Sequence, residues 1–406
     1  MSHTVLFSGS RSAASVARLL VVAVAACFLA LTVTPTMGQE DADEFTPLFN
    51  GQDLEGWVVV NTAPSTWHFE DGLLICSGRP IGEIRTERMY QNFILEVEWR
   101  HMVPRGNAGI FIWADDITAK GQPFHRGIEV QVLENAYGNT RGYTTHGDIF
   151  PIHGARMTPV NGRGGSRAFP TEERSNPSPE WNHYRIEARD GRVTLAVNGK
   201  VVTEGLECSP SKGYICLESE GGVVHYRGAR IKVLPDSPVD EQDIAIANRG
   251  YRCLYNGIDL DGWKAPTADG ETWQPRNWVL HHAASNDGSS DWLESDESFA
   301  SGGFLIDFKW LPETQQVVLE PHGSAATRLT FDPADESLKD KLATDGWNRI
   351  EGTLMDGRLN VSINDQPWIV ERNVGDIEAG PWRLTSQGPV DFANPFVRGS
   401  ESVTER

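Results

Sequence analysis

Glu129 and Gln131 lie two positions apart in Gly127-Ile-Glu-Val-Gln-Val-Leu133. An extended backbone projects both to one face and sends Ile128, Val130 and Val132 to the other. A carboxyl group among apolar neighbours is costly unless it is paired or lies in a wet cleft. Glu129 is therefore either a general acid or base or a structural hydrogen-bond partner. Thr145-His-Gly-Asp-Ile-Phe-Pro-Ile-His153 adds His146, Asp148 and His153. His146 and Asp148 share a face if the segment is extended, and His153 can return across a turn at Pro151. Three readings stand for this group: a general base with its orienting carboxylate, ligands of a divalent metal, or a structural surface cluster. The spacing matches no standard metal motif. Glu218, Glu220 and His225 form a third set, with Glu220 directly preceding a glycine pair. Asn107, Phe111 and Trp113 complete the cleft. Asn107 can bond a ligand's hydroxyls, and Trp113 either offers a stacking face or is core. Arg156, Arg163 and Arg167 lie in a long loop rich in Gly, Pro and Arg, and each is a candidate to close over a ligand.

The frame that must position these groups is written twice. Leu48-Phe-Asn-Gly-Gln-Asp-Leu-Glu-Gly-Trp57 recurs as Leu254-Tyr-Asn-Gly-Ile-Asp-Leu-Asp-Gly-Trp263, and Glu180 to Gly199 recurs as Gly346 to Asp365. Groups kept in both copies are expected to serve the fold, and ionisable groups present in one are candidates for chemistry. Trp57, Trp67, Asn182 and Asn198, matched by Trp263, Trp273, Asn348 and Asn364, are thus fold determinants. Asp53 and Asp259 serve the turn of the decapeptide. Aligning Gly213 with Gly380 sets Glu218 against Thr385, Glu220 against Gln387 and His225 against Phe392; drift in a solvated strand would give the same pattern. The Glu129 strand and the His146 to His153 segment have no counterpart in the second copy.

Phe93 to Arg100 alternates apolar and charged residues, as does Phe304 to Trp310, which predicts half-buried strands. Glu98 against Lys309 reverses a charge there, as expected of a solvated face. Asp-Gly, Asn-Gly and Asn-Asp turns join the strands of the second repeat into a meander. Many short strands with frequent turns predict an all-β protein of two tandem β-sandwich (jelly-roll) domains. The first spans 45–235, a polar linker 236–249, and a degenerate second copy 250–398.

The formal net charge of −20 over 406 residues disfavours nucleic acid and anionic membrane surfaces as partners. An uncharged or weakly charged ligand fits better. Arg11 and Arg18 precede the apolar run Leu19 to Val33, and small and turn residues follow to Gly38. Residues 1–38 are therefore expected to be a signal peptide, giving an exported protein, periplasmic or extracellular, without membrane insertion of the mature chain. Lipidation at Cys27 is the alternative, against which the apolar residues continuing after Cys27 argue. Cys208 and Cys216 could close a short loop as a disulfide, or Cys76, Cys208, Cys216 and Cys253 could be buried thiols.

Five blocks occur in order: Leu48 to Trp57, Gly106-Asn-Ala-Gly-Ile-Phe111, Gly127 to Leu133, Glu180-Trp-Asn182 and Gly213-Tyr-Ile-Cys-Leu-Glu-Ser-Glu-Gly-Gly222. Together they resemble the 3-keto-disaccharide hydrolase domain family, and the second half resembles it more weakly. The resemblance implies a concanavalin-like jelly roll and cleavage of glycosidic bonds in sugars oxidised at C3. Its expected partner is a 3-keto sugar or another glycan. A C3 ketone acidifies the hydrogen on C2, so a base can remove it while an acid protonates the departing oxygen. Water then adds to the enone. On this reading Glu129, His146, His153 and Glu220 are the catalytic candidates. Asn107, Trp113, Gln131, Asp148, Glu218 and His225 are the substrate-binding ones. The one cofactor in view is a divalent metal on His146, Asp148 and His153. The competing expectation is a non-catalytic carbohydrate-binding protein, because a jelly roll does not fix function.

Overall fold

The computed structural model describes residues 44–247, 250–266, 272–283 and 291–399. The expected signal peptide and Cys27 lie outside them. Strands dominate, and they assemble into two sandwiches of antiparallel sheets with separate apolar cores. In the first, a nine-stranded sheet runs Arg156–Pro159, Lys200–Ser209, Arg192–Val197, Asn182–Arg189, Phe93–His101, Val224–Val233, Leu73–Cys76, Trp67–Glu70, with Thr46–Pro47 added beside Val224–Val233. A six-stranded sheet runs Trp57–Val60, Gly82–Thr86, Tyr214–Ser219, Asn107–Ala114, Gly127–Leu133, Ile149–Ile152. Period-two alternation sends Ile84, Ile110, Ile112, Val130 and Leu217 into the core between the sheets.

The second sandwich repeats this connectivity. Its eight-stranded sheet runs Trp273–Arg276, Val279–His282, Val390–Arg398, Gly302–Trp310, Trp347–Met355, Arg358–Ile363, Gln366–Asn373, with Arg252–Cys253 beside Val390–Arg398. A five-stranded sheet runs Trp263–Lys264, Leu293–Phe299, Gly380–Gln387, Gln316–Glu320, Leu329–Phe331. The shared residues do the same work in each. Trp57 Nε1 donates to the Leu48 carbonyl at 2.9 Å and Trp263 Nε1 to Leu254 at 3.0 Å. Asn198 donates to Asn182 Oδ1 at 3.1 Å, and Asn364 to Asn348 Oδ1 at 2.9 Å.

Backbone register corrects three expectations. Asn182 pairs with Trp99, whereas Asn348 pairs with Phe308. The counterpart of Glu98 is therefore Asp307, not Lys309. Tyr226 pairs with Trp99 and Phe392 with Phe308, so His225 corresponds to Asp391, and no ionisable group is lost there. The second copy also has an equivalent of the Glu129 strand, the three-residue Leu329–Phe331. Leu329 pairs with Leu319 as Val130 pairs with Ile110, which places Arg328 at the position of Glu129. All four described cysteines are free, so the Cys208–Cys216 disulfide is not formed. Burial pushes the Cys208 thiol up to about 12 and, as the largest influence, that of Cys76 to about 11.

Asp307 sits where the sandwiches meet. Its carboxylate accepts from Arg349 Nε and Nη2 at 2.8 Å each, from Asn394 Nδ2 at 2.8 Å and from the Gly121 amide at 2.8 Å. Gly121 has φ +64°, and a Cβ there would lie 2.1 Å from the Trp347 ring; the first sandwich can dock this closely only because the residue is glycine. Val60 and Ile117 of the first sandwich pack with Tyr251, Leu305 and Phe396 around the same junction.

Candidate active site

The six-stranded sheet turns its other face away from the core, and that face is acidic. Glu129 and Gln131 project onto it from Gly127–Leu133, and Glu218 from Tyr214–Ser219, with Glu220 just beyond that strand. The Asn107–Ala114 strand between them contributes Gly109. A Cβ at Gly109 would stand 2.9 Å from both Glu129 Oε1 and Glu218 Oε2. The absent side chain is therefore what lets the two carboxyl groups approach over the middle strand. Gly109→Ala is expected to lower unfolding free energy by about 1–3 kcal/mol, and to reduce turnover by spreading the pair. Denaturant melts and turnover assays of the variant check both.

Asn107 joins the cluster into a chain. Its Nδ2 donates to Glu220 Oε2, and its Oδ1 accepts from Gln131 Nε2 at 3.0 Å. Arg167 Nη1 donates to Asp148 Oδ2 at 3.0 Å and approaches Gln131 Oε1 at 3.4 Å. Tyr184, from the facing sheet, donates to the Gln131 carbonyl at 2.9 Å and fixes the Glu129 strand from below. Glu129 is 7 % exposed and Glu218 2 %, whereas Asn107 and Glu220 are half-buried. The cluster thus opens on the Asn107 and Glu220 side.

Burial, with the charge of Glu220 next, holds the Glu129 carboxyl well above the usual range, and Arg167 opposes the shift. Burial followed by the charges of Glu129 and Glu220 does the same to Glu218. Burial also raises Glu220, against the lowering effect of hydrogen bonds from Glu218 and Asn107. Burial is the leading cause for all three, so the group holds its protons more tightly than free carboxyls do. Like-charged neighbours in a dry site cannot all ionise together.

The other expected residues divide. His146 is buried away from the carboxyls, its ring placed between Asn139 Nδ2 at 2.9 Å and Ser175 Oγ at 3.0 Å. Asp148 is fully buried, accepting from the Thr144 amide at 2.9 Å and from Thr144 Oγ1 and Arg167. It positions the loop and Arg167. His146, Asp148 and His153 do not form one metal cluster; among the described residues the ligand atoms that lie close together are those of Glu83, His125 and Cys216. His153 is exposed with φ 50°, and the charges of Glu83 and His125 both reach it. His225 belongs to the nine-stranded sheet, where its ring meets Arg100 Nη2 at 3.2 Å. Trp113 has φ 53°, and its fully buried ring donates to the Gln91 carbonyl at 2.8 Å. It offers no face to a sugar. Arg163 lies over Phe169, and Arg156 meets Ser209, so of the three loop arginines only Arg167 is tied to the cluster.

Sequence reasoning missed Glu83 and His125. Glu83 alternates with Ile84 in a strand short enough to carry little periodic signal, and His125 lies in a turn-rich connection.

The second sandwich fills the same face with opposite charges. Arg328 Nη2 meets Glu320 Oε1 at 2.6 Å, Arg383 Nη1 meets Glu320 Oε2 at 3.7 Å, and Arg383 Nε meets Glu294 Oε1 at 2.9 Å. Trp292 lies beneath Arg328.

Residues 44–232 match the family described as the 3-keto-alpha-glucoside-1,2-lyase-like domain. The first sandwich is similar to that family over its whole length. Among solved structures, a candidate glycosyl hydrolase from Parabacteroides distasonis ATCC 8503 is 22 % identical, with a TM-score of 0.35, covering 48 % of this chain and 96 % of its own. Carbohydrate binding module CBM66 from Bacillus subtilis is 15 % identical, with a TM-score of 0.32, covering 45 % of this chain and 98 % of its own. No curated protein matches the chain. The acidic face lies wholly within the lyase-like domain, and Glu129, Glu218 and Glu220 all fall inside its matched span.

Proposed function

We propose that the chain cleaves 3-keto-glycosides by proton abstraction at C2, with the first sandwich as the catalytic unit and the second as a copy whose cleft is closed. The observation that carries this reading is the meeting of Glu129 and Glu218 over Gly109, with Glu220 linked to Asn107 at the open side. The elimination needs an acid and a base held side by side. Burial supplies the acid by keeping protons on Glu129 and Glu218. Glu220, stabilised by the hydrogen bonds it accepts, is assigned the base.

Glu220 takes the C2 hydrogen, and the electron pair moves onto the C3 carbonyl oxygen. Its return expels the C1 glycosidic oxygen, which takes a proton from the Glu129–Glu218 pair. The products are an alcohol and an enone with its double bond between C1 and C2. Water added across that bond gives the free 3-keto sugar. This differs from glycosidases that pass through an oxocarbenium-like transition state and leave C2 untouched. Arg167 and Asn107 are placed to orient hydroxyl groups.

The test is turnover of a 3-keto-disaccharide in deuterated water beside the unoxidised disaccharide. The expected result is cleavage of the keto substrate alone, with deuterium at C2 of the released sugar. Cleavage without exchange at C2 would replace the elimination by direct hydrolysis. Binding with no release would make the chain a glycan-binding protein.

A further inference from the structure

Beside the carboxyl pair, three ionisable groups of different chemistry are buried together. Glu83 lies on the Gly82–Thr86 strand, pointing to the same face of the sheet as Glu218, with which it is in register. Its Oε1 accepts from the His125 amide at 2.7 Å and contacts His125 Nδ1. Cys216 Sγ stands 3.9 Å from the same nitrogen. All three residues are fully inaccessible to solvent. The adjacent Arg85 is turned elsewhere, donating to the Asp116 and Thr86 carbonyls and stacking on Tyr214.

Two polar atoms in this cluster, Glu83 Oε2 and His125 Nε2, have no hydrogen-bond partner. Buried polar atoms are ordinarily paired, so two orphans within one contact group call for an explanation. One atom from each residue can be chosen so that all lie within 4.8 Å of one another. Metal bonds of about 2.3 Å to sulfur and about 2.0–2.1 Å to nitrogen at a tetrahedral angle hold those atoms about 3.6 Å apart, so the 3.9 Å between Cys216 Sγ and His125 Nδ1 requires only a small closure. An ion among Nδ1, Glu83 and Cys216 would replace the Glu83–His125 contact and could engage Glu83 Oε2, whereas His125 Nε2 faces the other way across the ring.

We propose that Glu83, His125 and Cys216 form a binding site for a borderline-soft divalent transition ion such as zinc. The mixed oxygen, nitrogen and sulfur donors suit such an ion and are poorly suited to magnesium or calcium. A thiol must give up its proton to bind such an ion, so loading releases protons. The site lies beside Glu129 and Glu218, so the charge of a bound ion would favour ionisation of those carboxyls. Any effect of this on turnover rests on the reading given above; the binding itself does not.

The test is spectroscopic and independent of turnover. Purified full-length protein is stripped with a chelator and titrated with cobalt(II) while circular dichroism reports the fold. The expected result is one equivalent of bound cobalt with a thiolate-to-cobalt charge-transfer band and the intense visible bands of tetrahedral coordination. Cys216→Ser and Glu83→Gln should each remove the charge-transfer band or the binding, and Cys253→Ser should leave both intact. Should a variant fail to fold, zinc displacement of the band in the wild-type protein still reports a shared site. Folded wild-type protein that binds no cobalt, or binds it without a thiolate band, overturns the proposal. So does a band that survives Cys216→Ser.

Discussion

Glu129→Gln is expected to cut turnover of a 3-keto-glycoside by about 10²–10⁴-fold, the range lost when a positioned acid or base is removed. The same change is expected to make the protein more stable at neutral pH. In the unfolded chain Glu129 ionises around its ordinary value of 4.5, whereas in the folded chain burial and the Glu220 charge hold the proton well above it. Between those two points the folded state binds more protons than the unfolded state, so stability falls as pH rises. Below 4.5 both states are protonated and the penalty vanishes. Glutamine is neutral throughout, and removing Glu129 also relieves the charge felt by Glu218. The variant's advantage should therefore be absent in acid, appear as pH rises through the ordinary carboxyl range, and grow toward neutrality. Urea midpoints at acidic and neutral pH beside a turnover assay measure both effects. Wild-type turnover, or a loss of stability at neutral pH, would return Glu129 to the role of an ionised structural partner.

Asp307→Ala should cost about 3–5 kcal/mol, because it leaves a buried guanidinium without its counter-charge. Arg349 keeps only 14 % of its side chain accessible and donates twice to Asp307. The same carboxylate also serves the Gly121 amide and Asn394 Nδ2, so the substitution strands donors on both sides of the junction. Replacing the pair together, Asp307→Leu with Arg349→Met, should recover most of the loss by removing the uncompensated charge. Denaturant unfolding of the single and double variants supplies the measurement. A single variant with an unaltered midpoint would show that the ion pair is not what joins the sandwiches.

The sequence announced the architecture through patterns that local chemistry imposes. Alternation in Phe93–His101 and Gly302–Trp310 and the paired decapeptides reappear as corresponding strands and turns. What it hid was register. Aligning Phe93 with Phe304 is two residues out, since Asn182 and Asn348 show that Trp99 occupies the place of Phe308. Strand parity survives a slip of two, so side-chain alternation alone could not detect it. The slip set the buried Asp307 against Glu96 and made Glu98 look matched to Lys309. A slip of one, at His225, exchanged an outward residue for the buried Tyr226.

In the site, the face shared by Glu129 and Gln131 was legible from spacing. The placement of His146 was not, because its partners Asn139 and Ser175 come from turns and loops whose closure no periodicity records. Trp113 left the expected face because of its left-handed backbone, a local exception that a residue type seldom advertises.

The charge ladder from Glu294 through Arg383 and Glu320 to Arg328 makes the asymmetry of the two halves hard to reverse. Restoring a glutamate at Arg328 would set it against the buried Glu320, and neutralising Glu320 would strand two arginines. The costly changes are those that touch Glu320, the one buried member of the four. Glu320 thus couples these positions, so a carboxyl cluster like that of the first half could arise here only through several changes made together.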